Sequence, residues 1–76
     1  MILNKQIMAK IKINLNGKIT ELAEKSSIED LISNLGLDVK KIAIEKNLDI
    51  IFPDQYKNEI IQEGDEIEMI HFIGGG

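Results

Sequence analysis

Apolar and polar residues alternate most clearly near the two ends of the chain. Ile11, Ile13 and Leu15 interleave with Lys10, Lys12 and Asn14, the period of two that a half-buried strand requires. Asn16-Gly17 follows at once, the pair favoured in a two-residue type I′ turn because both central residues need φ > 0. Lys18 to Ala23 returns as a second strand, with Ile19, Thr20 and Leu22 supplying β-propensity. At the far end, Glu66-Ile67-Glu68-Met69-Ile70-His71-Phe72-Ile73 reads as a strand that alternates first and then becomes more apolar.

Between these strands the period changes. Ile28, Leu31, Ile32 and Leu35 fall at i, i+3, i+4 and i+7, the stripe of an amphipathic helix. Ser26 with Glu29 fits a capping box, and Ser27 with Asp30 offers a second register for it. Gly36 sits where a left-handed residue ends a helix, with Leu37 placed to make the accompanying apolar contact. A helix of about two to three turns is stable only when docked on a sheet.

After a polar link over Asp38 to Lys41, Ile42-Ala43-Ile44-Glu45 reads as a third strand. Asn47-Leu48-Asp49 turns the chain into a brief fourth strand, Ile50-Ile51-Phe52. Pro53 cannot donate to a ladder and marks a strand end or a sheet edge. Asp54 to Ile61 is expected to form a helical turn or irregular loop anchored by Tyr56, Ile60 and Ile61. Glu63-Gly64-Asp65 turns into the last strand.

Two strands, a helix and two or three further strands imply an α+β fold. One helix lies on one face of a mixed four- to five-stranded sheet, with the first and last strands side by side in parallel. That arrangement is the β-grasp, or ubiquitin-like, fold. Residues 1–9 show no clear period and are read as an N-terminal extension, with Met8 a second possible translation start. Residues 10–73 form the β-grasp domain, and Gly74, Gly75 and Gly76 form a flexible tail.

Composition narrows the function. Seventy-six residues make one small domain. With no cysteine there is no disulfide framework, thiolate metal site or cysteine nucleophile. A net charge of −4 and a pI near 4.8 leave no basic face for nucleic acid. No apolar run approaches a membrane span, and the opening residues are too short a stretch for a secretory signal, so a cytoplasmic domain is expected.

Catalytic chemistry is sparse. His71 is the single histidine, without HExxH or CxxC spacing, and reads as a half-exposed strand-end residue. Glu63, Asp65, Glu66 and Glu68 read as a solvated acidic face rather than a metal site or an acid–base pair. The three glycines precede no helix and so form no nucleotide loop. The chain is therefore expected not to be an enzyme by itself, to bind no metal and to hold no cofactor of its own. Glycine lacks a Cβ, so a Gly-Gly-Gly end can act as a slender thread that enters a narrow channel and presents a carboxylate. The plainer reading is a frayed terminus.

The residues that discriminate are Ile13-Asn14-Leu15-Asn16-Gly17, Ile28-Glu29-Asp30-Leu31-Ile32, Ile42 to Asn47, Glu63 to Glu68, and the closing His71-Phe72-Ile73-Gly74-Gly75-Gly76. On these the chain resembles the thiazole-forming sulfur carrier family, ThiS, of the bacterial thiamine pathway. It departs from many of that family at Phe52-Pro53-Asp54-Gln55, where relatives carry an arginine, and in the first eight residues.

The resemblance implies a protein co-substrate. An ATP-using, ThiF-like adenylating partner would join the Gly76 carboxylate to AMP. A sulfur donor such as a cysteine desulfurase would convert it to a thiocarboxylate. A ThiG-like thiazole synthase would receive the sulfur. Gly74 and Gly75 would give reach. If Ile67 and Met69 face the helix, alternation puts Ile70 and Phe72 on the opposite face as a candidate docking patch. The other reading has the strand end twisted, or covered by the N-terminal segment. A molybdopterin-type carrier, a ubiquitin-like protein modifier and a plain β-grasp interaction module are the alternative functions.

Overall fold

Hairpins form at both places where an asparagine heads a tight turn. In a computed structural model, which describes residues 9–72, β1 (Lys10–Leu15) and β2 (Lys18–Ala23) pair antiparallel. The pair Leu15↔Lys18 closes the ladder and leaves Asn16 and Gly17 as a two-residue turn, at φ 51° and 83°. β3 (Ile42–Lys46) and β4 (Asp49–Ile51) repeat the device, with Lys46↔Asp49 closing on Asn47 and Leu48 at φ 53° and 75°. Leu48 occupies the place usually taken by glycine, a conformation that costs a non-glycine residue roughly 1–2 kcal/mol, and its side chain is fully in solvent.

The last strand, β5 (Glu66–His71), enters between the hairpins, parallel to β1 and antiparallel to β3. The sheet order is β2-β1-β5-β3-β4, a mixed five-stranded β-grasp sheet with the first and last strands side by side, at the upper end of the four to five strands expected. Strand limits differ slightly from that pattern. β3 runs one residue longer, and β4 begins at Asp49 and stops before Phe52. Phe52 leaves the ladder because its N–H donates to Gln55 Oε1 (2.9 Å) as Pro53–Gln55 winds into a 3-10 turn.

One helix, α1 (Ile28–Asn34), covers one face. The second capping register is the one used: Ser27 Oγ accepts from the Asp30 N–H, and Asp30 Oδ2 accepts from the Ser27 N–H, both at 3.0 Å. The remaining first-turn donors are also satisfied, Ile28 N–H by the Glu59 carbonyl (2.9 Å) and Glu29 N–H by the Tyr56 carbonyl (3.0 Å). At the other end Gly36 takes φ 70°, its N–H donates to the Ser33 carbonyl and that of Leu37 to the Ile32 carbonyl, a Schellman turn.

That turn corrects the expected stripe. The helix stops at Asn34, so Leu35 is its C-cap and lies 47% exposed, while Leu37 folds back against the core instead. Ile28, Leu31 and Ile32 are buried and pack with Ile13, Leu22, Ile42, Ile44, Ile51 and Ile67 from the sheet. Tyr56 and Ile61 seal the open end as expected, but Ile60 does not. Its backbone bridges Ser27, and extended alternation then turns Ile61 inward and Ile60 outward.

Candidate functional site

β5 carries the chain towards Gly74-Gly75-Gly76, and its two edges are held differently. Hydrogen bonding from its even-numbered residues is directed at β3: Asn47 N–H donates to the Glu66 carbonyl (2.7 Å), and Phe72 N–H to the Lys41 carbonyl (2.7 Å). The odd-numbered residues face β1, where Asn16 N–H donates to the Ile67 carbonyl (2.9 Å). The parallel register with β1 covers two pairs, Asn14↔Glu66 and Leu15↔Ile67, before β1 turns away.

An asparagine side chain takes over on each flank. Asn16 Oδ1 accepts from the Met69 N–H (2.7 Å), and its amide donates to the Met69 carbonyl (3.2 Å). Asn47 Oδ1 accepts from the Glu66 N–H (2.9 Å). The sequence reading treated both only as turn residues. The available signal was that the same residue type heads both turns while offering a donor and an acceptor.

The base of β5 corrects the reading of an acidic solvated face. Asp65 is 8% exposed, not solvated. Its Oδ2 accepts from the Gln62 N–H (2.8 Å) and from Lys46 Nζ (3.4 Å), and its Oδ1 from the Asn47 amide (3.0 Å). Burial alone would raise its pKa. The Gln62 N–H, the Asn47 amide and the Lys46 ammonium more than offset this and hold it below the ordinary carboxylate value. Lys46 shows the converse: burial pushes it down, but Glu59 (3.1 Å) and Asp65 hold it above the ordinary lysine value. Glu63 is exposed, and its carboxylate accepts from the Lys12 N–H (2.9 Å), tying the turn to β1.

The alternation along β5 falls as expected. Ile67 is buried and Met69 half-buried on the helix side, while Ile70 and Phe72 are 56% and 52% exposed on the other. The expected patch is therefore open among the described residues, and it is wider than expected. Ala43 lies opposite Ile70 on β3, Ile50 and Phe52 are exposed on the same face, and the β3–β4 register carried one step further sets Phe52 beside Ala43. The double apolar Ile50-Ile51 could have signalled this, because alternation sends one of the two outward. His71 is exposed, as expected. Among the described residues no group of His, Asp and Glu is placed to hold a metal ion, and no helix is long and apolar enough to cross a membrane. Gly74, Gly75 and Gly76 lie outside the described residues.

Known proteins are similar to most of this chain. The model of the ThiS family matches residues 2–76. The sulfur carrier protein ThiS of Bacillus subtilis is 34% identical over 65 residues, covering 84% of this chain and 98% of its own. A thiazole synthase of Paramagnetospirillum magneticum is 35% identical over 66 residues, 87% of this chain. This chain spans only 20% of that synthase's length. The crystal structure of the thiamine biosynthesis protein ThiS from Geobacter metallireducens superposes with a TM-score of 0.74 at 25% identity, covering 87% of this chain and all of that one.

Proposed function

The chain belongs to the ThiS family, and on that premise we propose that it is a sulfur carrier for thiazole synthesis whose cargo rides on Gly76. The observation that carries this reading is the delivery of the chain by β5. A strand fixed at the centre of the sheet ends beside an exposed apolar patch and leads into three glycines. The β-grasp domain acts as the handle that presents Gly74, Gly75 and Gly76 to partner enzymes.

The chemistry follows from the weakness of a carboxylate as an electrophile. An ATP-dependent, ThiF-like partner joins a Gly76 carboxylate oxygen to the α-phosphorus of ATP and releases pyrophosphate. The terminal sulfur of a persulfide on a donor such as a cysteine desulfurase then attacks the acyl carbon and AMP leaves; a thiol of a partner protein cleaves the resulting acyl disulfide, leaving the thiocarboxylate on Gly76 and a disulfide on the partner side. A ThiG-like thiazole synthase consumes it. The chain itself supplies no acid, base or metal to these steps. It supplies recognition through Ile70 and Phe72, and passage through Gly74 and Gly75, where a side chain would widen the thread. That a thiazole synthase contains a segment similar to this chain supports the pairing with such an enzyme.

The test pairs thermal melts with intact-mass detection of the exchange of oxygen for sulfur by the adenylating enzyme and sulfur donor of the same organism. Deleting Gly76 abolishes the exchange and leaves the melt within the small range of exposed sites. Phe72→Ala leaves the melt unchanged but raises the enzyme concentration needed for half-maximal exchange. Sulfur incorporation by the Gly76 deletion would refute the carrier reading.

A further inference from the structure

Asn16-Gly17 has a reactivity of its own besides forming a turn. The backbone nitrogen that follows an asparagine can attack the side-chain carboxamide, and glycine permits this best because it has no side chain to crowd the approach. Asn16 is the single asparagine of the chain followed by glycine. Both residues are exposed, so water and base reach them. Asn47 is exposed in the matching turn and also bonds to β5, but Leu48 follows it. The Asn16 amide is the very group that grips Met69: Oδ1 accepts from its N–H at 2.7 Å, and Nδ2 donates to its carbonyl at 3.2 Å. The register between β1 and β5 ends at Leu15↔Ile67, and this amide continues the contact beyond it. The reactive carboxamide is thus a clasp between the first hairpin and the middle of β5.

We propose that Asn16 is a site of spontaneous deamidation, held in check by its two bonds to Met69, and that conversion there unclasps β5. The Gly17 nitrogen loses its proton to base and attacks Asn16 Cγ. The N–Cγ bond forms, the Cγ–Nδ2 bond breaks, and the departing nitrogen takes up a proton and leaves as ammonia. A five-membered succinimide remains. Water then opens the ring at either carbonyl, giving an aspartyl residue or an isoaspartyl residue whose main chain runs through Cγ. Nothing is oxidised or reduced. Attack makes Cγ tetrahedral, so oxygen and nitrogen leave the plane in which they meet Met69. The folded chain must therefore release Met69 before it reacts, and conversion draws on locally opened molecules. Either product has a carboxylate and no amide donor for the Met69 carbonyl. The aspartyl form still accepts from the Met69 N–H. The isoaspartyl form adds a main-chain methylene to a two-residue turn and shortens the side arm by one carbon, so it loses both bonds. The inference does not depend on the carrier reading.

The test incubates the full chain in mildly alkaline buffer, folded and in urea, and maps peptides for the gain of one mass unit at positions 16 and 47. In urea, conversion concentrates at position 16. Folding slows it there by about tenfold or more, because two hydrogen bonds and the turn must open first. The isoaspartyl chain is separated by its added charge and identified by methylation with an isoaspartyl methyltransferase. In it the Met69 amide exchanges hydrogen at least about tenfold faster than in the unconverted chain, while the β3-facing Ile70 amide changes far less. Equal conversion rates in folded and unfolded chains, or conversion in urea no faster at position 16 than at position 47, overturn the inference. So does an isoaspartyl chain in which Met69 exchange is unchanged, or in which Met69 and Ile70 quicken equally.

Discussion

Replacing Asp65 with asparagine changes one atom, yet the structure implies a large loss. The carboxylate receives three donors: the Gln62 N–H and Lys46 Nζ at Oδ2, and the Asn47 amide at Oδ1. An asparagine has one acceptor oxygen. With its oxygen towards Gln62, its NH₂ faces the Asn47 amide donor; with its oxygen towards Asn47, its NH₂ faces the Gln62 N–H and the Lys46 ammonium. Asn47 cannot flip to relieve the first clash without losing its bond from the Glu66 N–H. Either way a donor in a part-buried site is left unsatisfied and a charge-assisted bond is lost, together about 2–3 kcal/mol. In a domain this small that lowers the melting temperature by about 10–20 °C at neutral pH. The pH dependence separates this account from general damage. Because the folded-state pKa of Asp65 is depressed, its contribution is fully present above the unfolded value, about 3.9, and is lost as pH falls through the folded value. Melts of wild type and Asp65→Asn should therefore differ by a constant amount from about pH 5 to 8 and converge in acid. Equal melting temperatures at pH 7, or a gap that persists undiminished in acid, would refute the reasoning.

Two further perturbations address the core and the grip on β5. Leu31 is 2% exposed between helix and sheet, so Leu31→Ala should cost about 2–5 kcal/mol in denaturant melts; a loss under about 1 kcal/mol would show that the helix face does not bear on the core. Asn16→Gly keeps a residue suited to φ 51° but removes both bonds to Met69. Hydrogen exchange at the Met69 amide should quicken by at least tenfold relative to the β3-facing Ile70 amide, whereas equal changes at the two would mean that the turn itself had failed.

Most of the fold was legible because its signals are local. The period of two in β1, the Asn16-Gly17 turn, the serine caps and Gly36 each act within a few residues, and the succession of elements they give implied a β-grasp sheet with its first and last strands parallel. What sequence reasoning missed depends on contacts distant along the chain. Asp65 read as one of several surface acids because its partners Lys46 and Asn47 are brought to it only when β5 inserts beside β3. Leu35 and Ile60 are apolar at plausible positions, but one falls on a helix C-cap and the other on the outward phase of an extended segment. Alternation placed Ile70 and Phe72 correctly. It did not bring in Ile50 and Phe52, whose membership of the same face depends on the register between β3 and β4.

The two turn asparagines join the folding problem to the functional one. Each position needs φ near +50°, which glycine, asparagine and aspartate tolerate. Glycine has no side chain to reach β5, and an aspartate could accept from the Met69 N–H but not donate to its carbonyl. Asparagine alone meets the turn and supplies both a donor and an acceptor. Asn16 thereby extends the β1 edge past the end of its ladder, and Asn47 does the same at the start of β5. The strand is held along its length as far as Phe72, whose N–H donates to the Lys41 carbonyl beside the exposed face. From Phe72, the four residues to Gly76 can span no more than about 14 Å. On the carrier reading proposed above, a partner that grips the apolar face would hold its reactive centre within that radius of Phe72. On that reading, the spacing between docking patch and reaction site is set by the fold.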